Sequence, residues 1–223
     1  YAADRPEQAT PGQLSISDLI GSQVCLGWEH PADVVPPAMK KAAALAGRSD
    51  VAVVVVRDYR NEHTDLPSLT LSNEQDLLVQ TVAAANPRTI VVVATGGPIL
   101  MPWLDQVPAV LESWYGGQEQ GNALADVLFG DVNPSGKLTL TFPRSERDTP
   151  VSSPEQYSRT ERVAHFNEGL AVGYRGYDQL GIEPLFPFGY GLSYTSFAYS
   201  QLQIEPETID DITPIQVSFT ITN

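Results

Sequence analysis

The side chains able to do chemistry in this chain are carboxylates and aromatic rings rather than thiols or clustered imidazoles. Glu62 and Asp65 stand three apart around His63 in the polar run Glu62-His-Thr-Asp65. Carboxyl groups are common general acids and bases, yet on its residue type alone a Glu in a polar loop is a solvated surface residue. His30, His63 and His165 are far apart and lack metal-ligand spacing. Cys25 is the single cysteine, which excludes an internal disulfide or a cysteine metal cluster and reads as a small core residue. No metal or cofactor is expected. Trp103, Trp114 and Tyr115 carry rings that stack on sugars or fill a core, and packing is the better reading of all three. The Gly-Tyr-Gly-Leu-Ser run at 189–193 has glycines spaced as in a phosphate loop. It follows no strand, opens no helix and lacks the lysine, so nucleotide binding is not expected.

Composition narrows the partners. With 42% hydrophobic and 18% charged residues, 223 residues suit one globular domain plus smaller pieces. The formal net charge is −14 and the basic residues are scattered. A basic stripe for nucleic acid is missing, and an anionic membrane surface or polyanion is disfavoured. The longest apolar run, at 51–56, is too short to cross a bilayer. Neutral substrates, sugars among them, remain open. The chain starts at Tyr1 and stops inside a strand-like run at Asn223, so a longer polypeptide is expected.

The elements that would position the carboxylates follow from periodicity. Residues 1–32 are polar, with a strand-like run at 23–28. Ala38, Ala42 and Leu45 fall on one helical face, with Gly47 as a stop. Residues 50–56 read as a strand buried on both faces, as in parallel sheets. Ser72 and Gln75 have capping-box spacing before a helix whose stripe is Leu78, Val82 and Ala85, ended by Asn86-Pro87. Strands follow at 89–94 and 109–114, and a helix at 122–129 closed by Gly130, with Glu119 placed to cap it or to meet substrate. This alternation predicts an α/β fold, a three-layer α/β/α sandwich with a mostly parallel sheet. Sites in such sheets form from loops leaving the carboxyl ends of the strands, here 57–71, 95–103 and 114–121. Residues 138–142 alternate as a strand does, and from Phe197 the chain alternates again, as at the start of an all-β sandwich.

Five stretches together resemble the C-terminal half of family 3 glycoside hydrolases. They are Gly97-Pro-Ile-Leu-Met-Pro-Trp103, Trp114-Tyr-Gly-Gly-Gln-Glu-Gln-Gly121, Ala125-Asp-Val-Leu-Phe-Gly-Asp-Val-Asn-Pro-Ser-Gly-Lys-Leu138, Asn167-Glu-Gly-Leu-Ala-Val-Gly-Tyr-Arg-Gly-Tyr-Asp178 and Pro184-Leu-Phe-Pro-Phe-Gly-Tyr-Gly-Leu-Ser-Tyr-Thr195. The resemblance implies three segments: the tail of a preceding β module, similar to PA14, at 1–32; the sandwich domain at 33–195; and the start of a fibronectin-III-like domain at 196–223. It also implies an extracellular or periplasmic setting, an oligosaccharide or aryl glycoside as substrate, and a TIM barrel of the same polypeptide as partner.

The family's acid/base loop often reads Glu-Gly-x-Asp-Arg before a Leu-x-Leu helix entry. Glu62-His-Thr-Asp-Leu66 followed by Leu69-Thr-Leu71 is similar to it, with His63 for the glycine and Leu66 for the arginine. Gly116 likewise stands where a proline is usual. By this resemblance Glu62 is the general acid/base, and Asp65, His63 and Trp114 bind substrate or fix the loop. A retaining glycosidase needs a second carboxylate roughly 5–5.5 Å away as nucleophile. The family's Ser-Asp-Trp motif does not occur here, so the nucleophile is expected upstream of Tyr1. The implied function is retaining exo-hydrolysis of glycosides, with β-glucosides the expected substrates. The alternative is a carbohydrate-binding or structural module without chemistry of its own.

Overall fold

The structure is a computed structural model that describes residues 35–62, 66–153, 156, 163, 165–206 and 214–223. The strand-like run at 23–28 and the expected boundary at 32–33 lie outside the described residues.

Three parallel strands, β1 (Ala52–Arg57), β2 (Thr89–Ala94) and β3 (Ala109–Glu112), lie side by side in chain order with β2 central. Val54 pairs with Val91 and Val56 with Val93, and these four side chains form one buried face of the sheet. Helices α1 (Pro37–Ala46) and α2 (Gln75–Ala85) pack on each other, and Ala46, Val79 and Val82 join that core. A third helix, α3 (Gln120–Phe129), lies by the opposite face, where Leu124 and Gln120 line a groove with Val55 and Ala94. The expected α/β layering is therefore present.

Local details differ from expectation for physical reasons. Pro37 opens α1, where its fixed φ suits the first turn. The inward stripe of α1 is Met39, Ala42, Ala43 and Ala46, not Ala38 and Leu45, and Leu45 is exposed. The Asn86 amide sets this rotation by donating to the carbonyls of Ala46 and Ser49, both at 2.9 Å. β1 is not buried on both faces: Val53 and Val55 are 48% and 58% exposed, whereas Val91, Val92 and Val93 of β2 are fully buried. β1 stands at the edge of the described sheet, so one of its faces has less cover.

The capping box at Ser72 does not form. Asn73 and Glu74 both take left-handed backbone angles, which carry Ser72 away from the helix end. Gln75 instead turns its amide to the end of β1, accepting from the Arg57 N–H at 2.8 Å and donating to its carbonyl at 2.9 Å. A side chain thus substitutes for a neighbouring strand at that position. Residues 138–142 form no regular strand: a single bridge joins Phe142 to Phe186, and Leu138 and Tyr190 share a further backbone bond. A short helix, α4 (Tyr174–Leu180), ends at Gly181 in the left-handed region.

The last two strands, β4 (Ala198–Glu205) and β5 (Gln216–Thr222), form a separate antiparallel pair. Its register shifts between Ser200 and Gln203, where Gln201 has φ of 54°. The extra residue moves the alternation by one, so Tyr199, Leu202 and Ile204 share a face with Val217, Phe219 and Ile221. The other face carries serine, threonine and glutamine together with Ala198 and Glu205. A two-stranded ribbon with one apolar side is the pattern of a sheet that begins a β domain.

Candidate active site at the carboxyl end of the sheet

All three parallel strands end on the same side, and each hands a functional group to that rim. β1 leads directly into Asp58, which is buried. β2 leads into Thr95 and the Gly96-Gly97 turn, and β3 ends on Glu112 before Trp114 and Tyr115. Parallel order β1-β2-β3 places these loops next to one another.

Asp58 is the hub. Its Oδ1 accepts from the Tyr115 hydroxyl at 2.5 Å and from the Gly96 N–H at 3.1 Å, while its Oδ2 accepts from Arg60 Nε. Arg60 also donates through Nη2 to the Pro98 carbonyl at 2.5 Å, and its backbone N–H donates to Tyr115 Oη at 2.9 Å. A buried carboxylate is tolerable only with such compensation, because removing its charge from water is costly. The glycines leave room for these groups. A Cβ on Gly96 would lie 2.9 Å from the Tyr115 ring, and one on Gly97 would lie 2.7 Å from the Arg60 guanidinium.

Glu112 is a second carboxyl group at the rim, and it is half-buried. Burial, reinforced to a smaller degree by the charge of Asp58, pushes it up to about 7 despite hydrogen bonds from Thr95 and Trp114. The Trp114 N–H donates to Oε1 at 2.9 Å, and Oε2 lies 3.2 Å from the Thr95 hydroxyl. That hydroxyl also faces the Gly97 carbonyl at 2.9 Å. The Thr95 hydroxyl has one proton to share between the Gly97 carbonyl and Glu112 Oε2.

Glu62 lies five residues beyond the end of β1 and two beyond Arg60, and it is exposed. His63 and Asp65, the other two loop residues singled out by sequence, lie outside the described residues. Trp114 adopts φ of 51° and turns its ring against Phe142, with ring centroids 6.4 Å apart, beside the core. Trp103 is fully buried and donates to Asp76 Oδ1 at 2.7 Å. Tyr115 is not core: its ring is half exposed, and its hydroxyl belongs to the Asp58 network. It also lines an open groove of about 380 Å³ with Val55, Arg57 and Leu124. Glu119 precedes α3 without capping its backbone, and its carboxylate accepts from the Asn122 amide instead.

Sequence reasoning located the three loops but missed Asp58, Arg60 and Glu112. The available signal was position: each sits at or just beyond the carboxyl end of a buried parallel strand.

The described residues contain no cluster of three potential metal-ligating groups and no helix long and apolar enough to cross a membrane. What the rim offers is the buried Asp58 carboxylate, the half-buried Glu112 carboxyl, a guanidinium and a phenol, on the loops that leave the three strands.

The model of the glycosyl hydrolase family 3 C-terminal domain matches residues 9–194, and the chain belongs to that family. It is 44% identical over 190 residues to a thermostable beta-glucosidase B of Acetivibrio thermocellus, covering 83% of this chain and 25% of that protein. It is 43% identical to a beta-glucosidase of Rhizobium radiobacter, covering 84% and 24%. Among solved structures, it is similar to DesR, a beta-glucosidase from Streptomyces venezuelae in complex with D-glucose, with TM-score 0.77, 42% identity and coverage of 84% and 24%. It also resembles beta-glucosidase 3B from Thermotoga neapolitana, with TM-score 0.73, 35% identity and coverage of 88% and 28%. The chain thus spans about a quarter of the length of the relatives it matches.

Proposed function

We propose that this chain supplies the general acid/base, Glu62, to a retaining β-glucosidase whose nucleophilic aspartate lies outside residues 1–223. The supporting observation is joint: family 3 membership, and an exposed Glu on the loop that leaves the carboxyl end of β1. In this reading Glu62 protonates the leaving oxygen as the nucleophile attacks the anomeric carbon, then deprotonates the water that releases the sugar. The β-glucoside assignment follows the names of the relatives, one of them solved with D-glucose. Asp65 and His63 would steady the loop or touch the sugar, and Trp114 would fix the loop after β3. A barrel domain of the same polypeptide completes the site, β4 and β5 open a fibronectin-III-like domain, and the enzyme works outside the cytoplasm.

The test is Glu62→Ala in the intact enzyme. The variant should lose on the order of 100-fold or more on alkyl glucosides, keep most of its first-step rate on dinitrophenyl glucoside, and form glucosyl azide when azide is added. Ordinary turnover of alkyl glucosides by the variant would remove Glu62 from the mechanism.

A further inference from the structure

We infer that Tyr115 and Asp58 are positioning residues for the Glu62 loop, a reading that rests on Glu62 being the acid/base. The argument starts from what an exposed loop residue lacks. Glu62 is exposed at the edge of the sheet, and proton transfer tolerates little error in placement. The backbone two residues earlier is held at several points. The Arg60 N–H donates to Tyr115 Oη, so a side chain from the loop after β3 carries the main chain of the loop after β1. Tyr115 in turn donates a hydrogen bond to Asp58, which is anchored to Gly96 of the loop after β2. The Arg60 guanidinium closes the ring by bonding Asp58 and the Pro98 carbonyl.

The arrangement is specific to a phenol. One oxygen must accept from a backbone N–H and donate to a carboxylate at the same time. Phenylalanine would fill the same space against Gly96 and lose both bonds. Tyr115 is half exposed, so its ring contributes less to the core than Trp103 or Phe142 do. Its more distinctive contribution is the link between the rim and the residues leading to Glu62.

The experiment compares Tyr115→Phe and Asp58→Asn with Glu62→Ala in the full-length enzyme, using methyl glucoside and dinitrophenyl glucoside. Both positioning variants should lose on the order of 10- to 100-fold in kcat/KM on methyl glucoside, whose leaving group needs the acid. They should stay within about 3-fold of the parent on dinitrophenyl glucoside, whose leaving group does not. A merely structural role would lower both substrates together, so equal losses overturn the inference. An unchanged methyl glucoside rate in a folded Tyr115→Phe variant overturns it as well. In either case a leaving-group-dependent loss in Glu62→Ala would leave the assignment of Glu62 standing. Ordinary activity of Glu62→Ala on methyl glucoside removes the acid/base reading and this inference with it. Should Asp58→Asn fail to fold, Tyr115→Phe decides alone, since it removes one oxygen atom from a half-exposed ring.

Discussion

Oε2 of Glu112 lies 3.2 Å from the hydroxyl of Thr95, which at the same time faces the Gly97 carbonyl at 2.9 Å. Burial outweighs these hydrogen bonds and lifts the Glu112 carboxyl to about 7, so that it holds its proton at mildly acidic pH. The unfolded chain binds that proton only below the ordinary carboxylate value of 4.5. Between these limits the folded state binds more protons than the unfolded one, so stability falls as pH rises from about 4.5 through about 7. The loss is of order 2 kcal/mol after allowance for partial solvent exposure. Glu112→Gln, which cannot titrate, should flatten that part of the profile. Thermal melting of both proteins between pH 5 and pH 8 checks this, and parallel profiles would sink it.

Asn86 should be among the most sensitive polar positions. Its buried amide donates to the Ala46 and Ser49 carbonyls, and its oxygen accepts from the Arg88 N–H at 2.8 Å. Asn86→Ala strips all three partners and should cost about 2–4 kcal/mol, since unpaired buried groups carry the desolvation penalty. Urea denaturation would measure it, and a change below 1 kcal/mol would contradict the role given to this residue.

Trp103→Phe separates ring volume from hydrogen bonding. The indole N–H is the donor that offsets the burial raising the Asp76 carboxyl. Losing it should destabilise the fold by about 1–3 kcal/mol when the Asp76 carboxyl is ionised. The penalty should shrink in acid as Asp76 takes up its proton. Equal penalties at pH 4 and pH 7 would show that packing alone is responsible.

Gly97→Ala approaches the rim from the loop after β2. The new Cβ would lie 2.7 Å from the far end of the Arg60 side chain, which is flexible enough to move. The expected result is Arg60 displaced from Asp58 and Pro98, with a loss of about 1–3 kcal/mol because the buried Asp58 carboxylate loses its cationic partner. Denaturation and a crystal structure of the variant would read the two parts, and an Arg60 left in place would refute the contact.

Much of the α/β layer was legible because its signals are local. The runs at 51–56 and 89–94 are β-branched and short, and Gly130 stands one residue past α3 in the left-handed conformation that favours glycine. The resemblance over residues 97–195 was legible for the same reason, being carried by short motifs in order. The unread parts depend on neighbours. The capping spacing at Ser72 lost to two left-handed residues and to the needs of Arg57, whose backbone Gln75 satisfies. The alternation at 138–142 looked like a strand, but its partner segment at 185–190 meets it at only a few points.

Sequence by itself determined the family, the order of strands and helices, and Glu62 as the residue to test. These rest on side-chain type and spacing, which need no third dimension. Only the tertiary structure decided that Asp58, Arg60 and Tyr115, up to 57 positions apart, form one network leading to Glu62. It likewise decided that burial raises the Glu112 and Asp76 carboxyl groups. Both depend on which segments the fold brings side by side, and on how much water they exclude.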